Sequence, residues 1–257
     1  MDKNSNAYVI KFALIICVVC SAALAMAYNV LRPRQEANAE FDRQRNVLKA
    51  AGLYDPADTT TTRPKLEQLY KDRVTAVVVE GQGGEVTTAP ERVVASKITP
   101  DEHAKLRDAA EKRRVRLIYV AKDESGGVLA YVLPISGKGL WSTLYGYLAL
   151  GPDANTVKGI TFYKHGETPG LGGEVDNPNW TAQWADKQIL ADAAGEPKLV
   201  SVVVKKGTVN PENANEKLHY VDGLAGATIT SNGVTRFVQA DLQWYAPYFK
   251  ETWARRN

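Results

Sequence analysis

Val115-Arg-Leu-Ile-Tyr-Val-Ala121 and Gly127-Val-Leu-Ala-Tyr-Val-Leu-Pro-Ile135 flank the polar segment Lys122-Asp-Glu-Ser-Gly126. Two β-branched and aromatic runs of strand length, separated by a short polar stretch ending in glycine, predict an antiparallel hairpin. Further strands are expected at Arg73–Glu80, before the turn signal Gly81-Gln-Gly-Gly84, and at Leu144–Leu150, Val157–Tyr163 and Leu199–Lys205. Helical spacing is found in Glu36–Ala51, where Phe41, Val47, Leu48 and Ala51 share a period that stops at Gly52. Charged helix is expected over Asp101–Arg114, opened by Thr99-Pro100, and Asp55–Arg63 reads as a polar loop. Near the C-terminus Val234, Phe237, Val238 and Leu242 mark one face of another helix. Strands joined by short turns with helices at the flanks predict an α+β domain with a mainly antiparallel sheet.

The N-terminal region has a different character. Phe12–Leu31 is twenty residues without a charge, enough at about 1.5 Å per residue to span about 30 Å of hydrocarbon. A single transmembrane helix is expected, closed by Pro33. The rival is a cleavable signal peptide, since Lys3 and Lys11 precede the run and Ala23-Leu24-Ala25 or Ala25-Met26-Ala27 fits a cleavage site. The run continues past both sites through Tyr28, Val30 and Leu31, which favours the anchor. The expected organisation is a tail over 1–11, a transmembrane helix over 12–31, a juxtamembrane helix and linker over 32–56, and one folded domain over 57–257. Arg32, Arg34, Arg43 and Arg45 follow the run, and counted literally they vote for a cytoplasmic domain. Long domains translocate largely regardless of such charges, so the vote is weak.

Composition removes several function classes. Charged residues are 24% of 257 and the formal net charge is +3, so no single-sign field points to nucleic acid. Cys17 and Cys20 both lie in the apolar run, which leaves the folded part without a disulfide framework or a thiol metal site. His103, His165 and His219 are scattered without metal-ligand spacing. No dinucleotide fingerprint, Walker loop or Ser/His/Asp set is present to support an independent hydrolase or NAD enzyme.

The most informative stretch is Asp222-Gly-Leu-Ala-Gly-Ala-Thr228-Ile-Thr230-Ser231-Asn-Gly233. A glycine-bearing loop empties into a helix N-terminus, where free N–H groups and the positive end of the dipole favour a phosphate. The blander reading makes Thr230 or Ser231 a simple N-cap. A second stretch, His165-Gly-Glu167-Thr168-Pro169-Gly170-Leu171-Gly172-Gly173-Glu174, is followed by Asn177-Pro-Asn-Trp180 and Trp184. Its glycines let main-chain amides approach a flat polar ring, while Glu167, Thr168 and Leu171 offer contacts; a surface turn satisfies the same residues. His165 has no partner visible in sequence. Gly137–Tyr147 adds Trp141, Leu144, Tyr145 and Tyr147, which suit either a ring wall or core packing, and Lys206 or its neighbour Lys205 ends a strand-like run.

The first stretch resembles the D-x-x-[ST]-G-A-T-x-[ST] pattern of the FMN-binding domains in the C subunit of the bacterial sodium-translocating NADH:quinone oxidoreductase and in the related Rnf complex. The second resembles the same family's H-x-E-T-P-G-L-G signature. The resemblance implies FMN esterified through its phosphate to Thr228. Around it, Asp222, Gly223, Leu224, Ala225, Gly226, Ala227, Thr230, Glu167, Thr168, Gly170, Leu171, Gly172, Trp141, Leu144 and Lys206 would form the cofactor site. Ala225 departs from the pattern, standing where the family usually has serine or threonine. Asp42-Arg-Gln-Arg-Asn-Val-Leu-Lys-Ala-Ala-Gly52 matches the C subunit better than the Rnf relative. The implied role is a one-electron carrier in the inner membrane, not active alone, with its domain in the periplasm. Its implied partners are the FMN-bearing B subunit, a metal centre held by membrane subunits such as D and E, and a flavin transferase for maturation. The alternatives are the Rnf flavoprotein, a structural or assembly component with an unused loop, and an anchored small-molecule binder.

Overall fold

The computed structural model describes residues 6–58, 60–82, 85–88, 114–193 and 196–254. The chain divides into two units, Met1–Arg43 and Gln44–Asn257. Helix α1 (Asn6–Ala50) runs through Pro33 instead of ending there, so the two expected N-terminal helices are one. A proline inside a helix forfeits one backbone bond at a cost of about 3 kcal/mol. Helix-forming neighbours on both sides offset this, including the Arg32–Glu36 pair at 2.8 Å. The apolar section of α1 is long enough to cross a membrane, and Val9, Ile15, Val18, Val19 and Leu24 are all exposed on it.

In the second unit, α2 (Arg63–Arg73) leads into β1 (Val74–Gln82) and β2 (Glu85–Thr88). Then come β3 (Arg114–Lys122), β4 (Val128–Lys138), β5 (Thr143–Leu150) and β6 (Val157–Lys164). They form one six-stranded sheet of order β2-β1-β3-β4-β5-β6, antiparallel at every pairing. The hairpin expected at Lys122–Gly126 joins β3 to β4; Asp123 Oδ1 accepts from the N–H groups of Ser125 and Gly127 and closes it. The helix expected over 101–114 lies outside the described residues, save Arg114, which opens β3.

After β6 the chain makes a 3-10 turn (Gly172–Asp176), α3 (Pro178–Ala182), the pair β7 (Leu190–Ala193) and β8 (Glu196–Leu199), and β9 (Val203–Val204). It ends with α4 (Ala214–His219), β10 (Tyr220–Val221) and α5 (Thr228–Ala254). The strand expected across Leu199–Lys205 is broken in the middle. Ser201 takes φ 68°, and the N–H groups of Val200 and Ser201 both turn to the Ile189 carbonyl, so only β8 and the short β9 remain. β9 pairs in parallel with β10, unlike the other strand pairings among the described residues.

Strand alternation sends Ile118, Val120, Leu133, Ile135 and Leu148 to one face of the sheet, where α5 covers them with Val234, Phe237, Val238, Leu242, Tyr245 and Phe249. Leu117, Tyr119, Ala121, Ala130, Val132 and Tyr147 line the other face beneath Val47 and Ala50 from the end of α1 and Ala51 just after it. The compact unit therefore takes in the last turns of α1, ahead of residue 57. One buried polar contact fixes how α5 sits: Arg116 of β3 meets Asp241 of α5 at 2.8 Å, and the other Asp241 oxygen accepts from the Ser136 N–H of β4 at 2.9 Å.

Asp241→Ala should cost about 3–5 kcal/mol, because it strands a buried guanidinium and a buried N–H. Arg63→Ala, which breaks the exposed Arg63–Glu67 pair, should cost no more than about 0.5 kcal/mol. Chemical denaturation in detergent, followed by tryptophan fluorescence, compares the two; equal costs would contradict the weight placed on Asp241.

Candidate functional site

Three segments far apart in sequence meet at the Glu167 carboxylate. It is 6% exposed and accepts five hydrogen bonds. Leu140 N–H (3.2 Å), Trp141 N–H (2.9 Å) and Ser142 N–H (2.9 Å) come from the loop between β4 and β5, joined by the Ser142 hydroxyl at 3.2 Å. The fifth donor is the Thr230 hydroxyl in the first turn of α5, at 2.7 Å. Burial alone would raise this carboxyl. The bonds from Thr230 and from the Ser142, Trp141 and Leu140 amides outweigh it and hold the group below the usual glutamate range.

The loop after β6 is braced at its entry as well. His165 Nδ1 accepts from the Glu167 N–H at 3.3 Å, so Nε2 carries the proton and donates to Asp176 at 3.1 Å. Thr168 is exposed, but its carbonyl accepts from the Leu171 and Gly173 N–H groups and closes the turn through Gly170. Gly172 has to be glycine: a Cβ there would lie 2.7 Å from the Thr230 hydroxyl and 2.8 Å from Glu167 Oε2. Leu171 and Trp141 are left outward, 44% and 67% exposed, whereas Leu144 is fully buried beneath the loop.

The Asp222–Ala227 segment is fastened to other parts of the unit. Asp222 accepts from the Val209 N–H at 2.7 Å, its own N–H donates to Gln183, and its carbonyl accepts from Trp180 Nε1. Its carboxylate thus holds a loop. Gly223 N–H donates to the Gly207 carbonyl, which brings the Lys205–Gly207 segment alongside. Lys205 is paired with Glu216 at 2.5 Å, while Lys206 is exposed. Leu224 and Ala227 are buried and Ala225 is exposed, so the missing hydroxyl at 225 leaves no buried group without a partner. Gly226 takes φ 69° in the turn that delivers the chain to α5.

The first turn of α5 carries three hydroxyls in three situations. Thr230 is 1% exposed and donates to Glu167; Ser231 is 4% exposed and accepts from the Leu224 N–H at 3.1 Å. Thr228 is exposed and makes no bond to a described residue. Neither Thr230 nor Ser231 is an N-cap: Ser231 N–H bonds the Ala227 carbonyl, which places Ala227, with no capping oxygen, at that position. The open amide end and the free Thr228 hydroxyl therefore lie together, an arrangement that favours an anion beside Thr228. Among the described residues no cluster of His, Cys, Asp or Glu is suited to a metal ion.

Residues 139–243 match the FMN-binding domain family, a span that holds Glu167, Thr228 and Thr230. The chain is 43% identical over 242 residues to the C subunit of the Na(+)-translocating NADH-quinone reductase of Pseudomonas aeruginosa, covering 91% of this chain and 90% of the relative. It is 36% identical to that of Pasteurella multocida, covering 91% and 88%. Among solved structures, the C subunit of the same reductase from Parabacteroides distasonis superposes with a TM-score of 0.65 at 28% identity, covering 86% of this chain and 97% of that one. Shewanella oneidensis NqrC gives 0.64 at 28% identity, covering 85% and 99%.

Glu167→Gln should lower stability by about 2–3 kcal/mol at pH 7, since an amide turns its own N–H groups toward donors. Because the folded-state pKa of Glu167 is depressed, its contribution is complete above the unfolded value of about 4.3 and is lost as pH falls through the folded value. The gap between wild type and variant in thermal unfolding should shrink below about pH 4. A gap that stays constant with pH would show that the carboxylate charge is not what the cluster uses.

Proposed function

This chain belongs to the family of Na(+)-translocating NADH-quinone reductase C subunits, and on that premise we propose that Thr228 holds FMN through a phosphoester and that the protein passes single electrons through it. The observation that carries the attachment is the contrast among the three hydroxyls of the first turn of α5: Thr228 is exposed and unbonded, while Thr230 and Ser231 are buried and engaged. FMN supplies the redox chemistry when bound. The chain's own residues orient it. The uncapped amides of α5 favour the phosphate, Gly226 sets the turn that presents Thr228, and Leu171 and Trp141 offer exposed apolar surface to the ring. Glu167 acts by positioning, since its bonds to Thr230 and to the Leu140–Ser142 amides hold those surfaces around the attachment point.

A covalent tether suits a carrier working in an open compartment, because the ring stays at high effective concentration beside its seat. In this reading α1 spans the inner membrane, the folded unit lies in the periplasm, and a flavin transferase loads it. Electrons pass between a metal centre held by the neighbouring D and E membrane subunits and the FMN of the B subunit. Ala225 is compatible with attachment because its side chain faces solvent.

Thr228→Ala should abolish ultraviolet fluorescence of the denatured band in a gel while shifting stability by less than about 0.5 kcal/mol, as expected of an exposed side chain. Thr230→Ala should keep the flavin yet cost about 1.5–3 kcal/mol, because it removes a buried bond to a carboxylate. Loss of fluorescence from Thr230→Ala alone would reverse the two roles. Protease added to intact spheroplasts should digest the folded unit; digestion only after the membrane is opened would refute the periplasmic orientation.

A further inference from the structure

The stretch from Asn177 to Trp184 meets the loop that presents Thr228 at a single residue. Trp180 of α3 donates from Nε1 to the Asp222 carbonyl at 2.8 Å, and the Gln183 side-chain oxygen accepts from the Asp222 N–H at 2.9 Å. One short helix and the residue after it therefore hold both backbone polar groups of Asp222, across 42 and 39 residues of sequence. The helix is itself braced. The Asn177 side-chain oxygen accepts from the Asn179 N–H at 2.9 Å, and the Asn177 amide donates to Glu174 at 2.7 Å.

The two tryptophans of this stretch differ in what their N–H groups do. Trp180 and Trp184 stand edge to face with ring centroids 5.7 Å apart, and both are buried. Trp184 Nε1 bonds no described residue, whereas Trp180 Nε1 is given to the loop. Trp180 also packs on Phe162 of β6, with centroids 6.4 Å apart, and Phe162 packs on Phe237 of α5 at 6.3 Å. The donor is thus aimed by a side chain that the core holds in place. A loop of this composition needs such ties, because Gly223 and Gly226 free its backbone. Gly223 cannot be replaced, since a Cβ there would lie 2.3 Å from the Lys205 carbonyl oxygen. The Thr230 bond to Glu167 fastens the far end of the loop, and Asp222 is its near end, six residues before Thr228.

We infer that Trp180 and Gln183 are positioning residues for the cofactor: they hold the Asp222 peptide from both sides, so that the loop cannot pivot under the group attached at Thr228. The inference rests on FMN being held there. A covalent bond keeps a cofactor on the protein but leaves it free to swing about the single bonds of the ester, so the anchor point has to be still. Supports of this kind work when they keep a site within about 0.5 Å of its productive geometry. Both residues act through the loop, not on the cofactor. Trp180 thereby has a task in the site that Trp184, its neighbour in the same motif and the same aromatic cluster, does not share.

The test is time-resolved fluorescence anisotropy of the flavin on the full-length protein, produced with a flavin transferase and purified in detergent. Wild type is compared with Trp180→Phe, Gln183→Leu, Gln183→Glu and Trp184→Phe, and covalent flavin is measured on the same samples by in-gel fluorescence. The expected result is full flavin content in all five, with the fast, nanosecond part of the anisotropy decay larger by about two- to tenfold in Trp180→Phe and Gln183→Leu, as the loss of one hydrogen bond implies. Gln183→Glu keeps the acceptor and should match wild type, and so should Trp184→Phe, although thermal unfolding shows it destabilised. Should Trp180→Phe fail to fold, Gln183→Leu against Gln183→Glu decides alone. Decays in Trp180→Phe and Gln183→Leu that match wild type would overturn the inference, as would an equal rise in Trp184→Phe, which would mean a loosened core and no clamp. Loss of covalent flavin from Trp180→Phe or Gln183→Leu would assign the pair to loading, which also overturns it. Wild type without covalent flavin would be a different failure: it removes the Thr228 reading, and this inference falls with it.

Discussion

A buried carboxylate must be surrounded by donors or neutralised, and at Glu167 the chain supplies the donors. The β4–β5 loop, the loop after β6 and the start of α5 converge because each contributes to that oxygen pair, through the Leu140, Trp141 and Ser142 amides, the glutamate itself and Thr230. The convergence decides which hydroxyl of the α5 turn is available. With Thr230 drawn inward to Glu167 and Ser231 occupied by Leu224, Thr228 is turned to solvent.

Asp241 performs the matching task eleven residues further along α5, about three helical turns from Thr230. It ties the helix to Arg116 and to the Ser136 amide on the sheet. Two buried carboxylates thus fix the rotation of α5 about its axis at two levels. Successive residues are about 100° apart around a helix, so a slip of one residue would break both contacts. The geometry at Thr228 is consequently a property of the whole sheet and helix.

The sheet was legible in the sequence where alternation is strong: the Val115–Ala121 and Gly127–Ile135 runs form β3 and β4 much as their pattern implies. Pro33 and Leu199–Lys205 were misleading for local reasons, a tolerated proline in one case and a left-handed Ser201 in the other. At the site, residue types and spacing marked the two loops, but not who bonds to whom. Glu167 and Thr230 are 63 residues apart, and nothing in either motif states that one donates to the other. The His165 partner, Asp176, sits eleven residues away at the end of a 3-10 turn whose path only the folded chain reveals. Asp222 was legible as the leading acid of its motif, yet its bond to Val209 gives it a loop-holding task that the motif does not disclose.

We propose that the Glu167 cluster leaves Thr228, and not Thr230 or Ser231, as the acceptor of the cofactor. Peptide mapping by mass spectrometry of the protein made with a flavin transferase tests it most directly, with fragmentation fine enough to separate positions 228, 230 and 231. The expected result is an FMN phosphoester on Thr228 and no adduct in Thr228→Ala. An adduct on Thr230 or Ser231, or one that persists in Thr228→Ala, would contradict it.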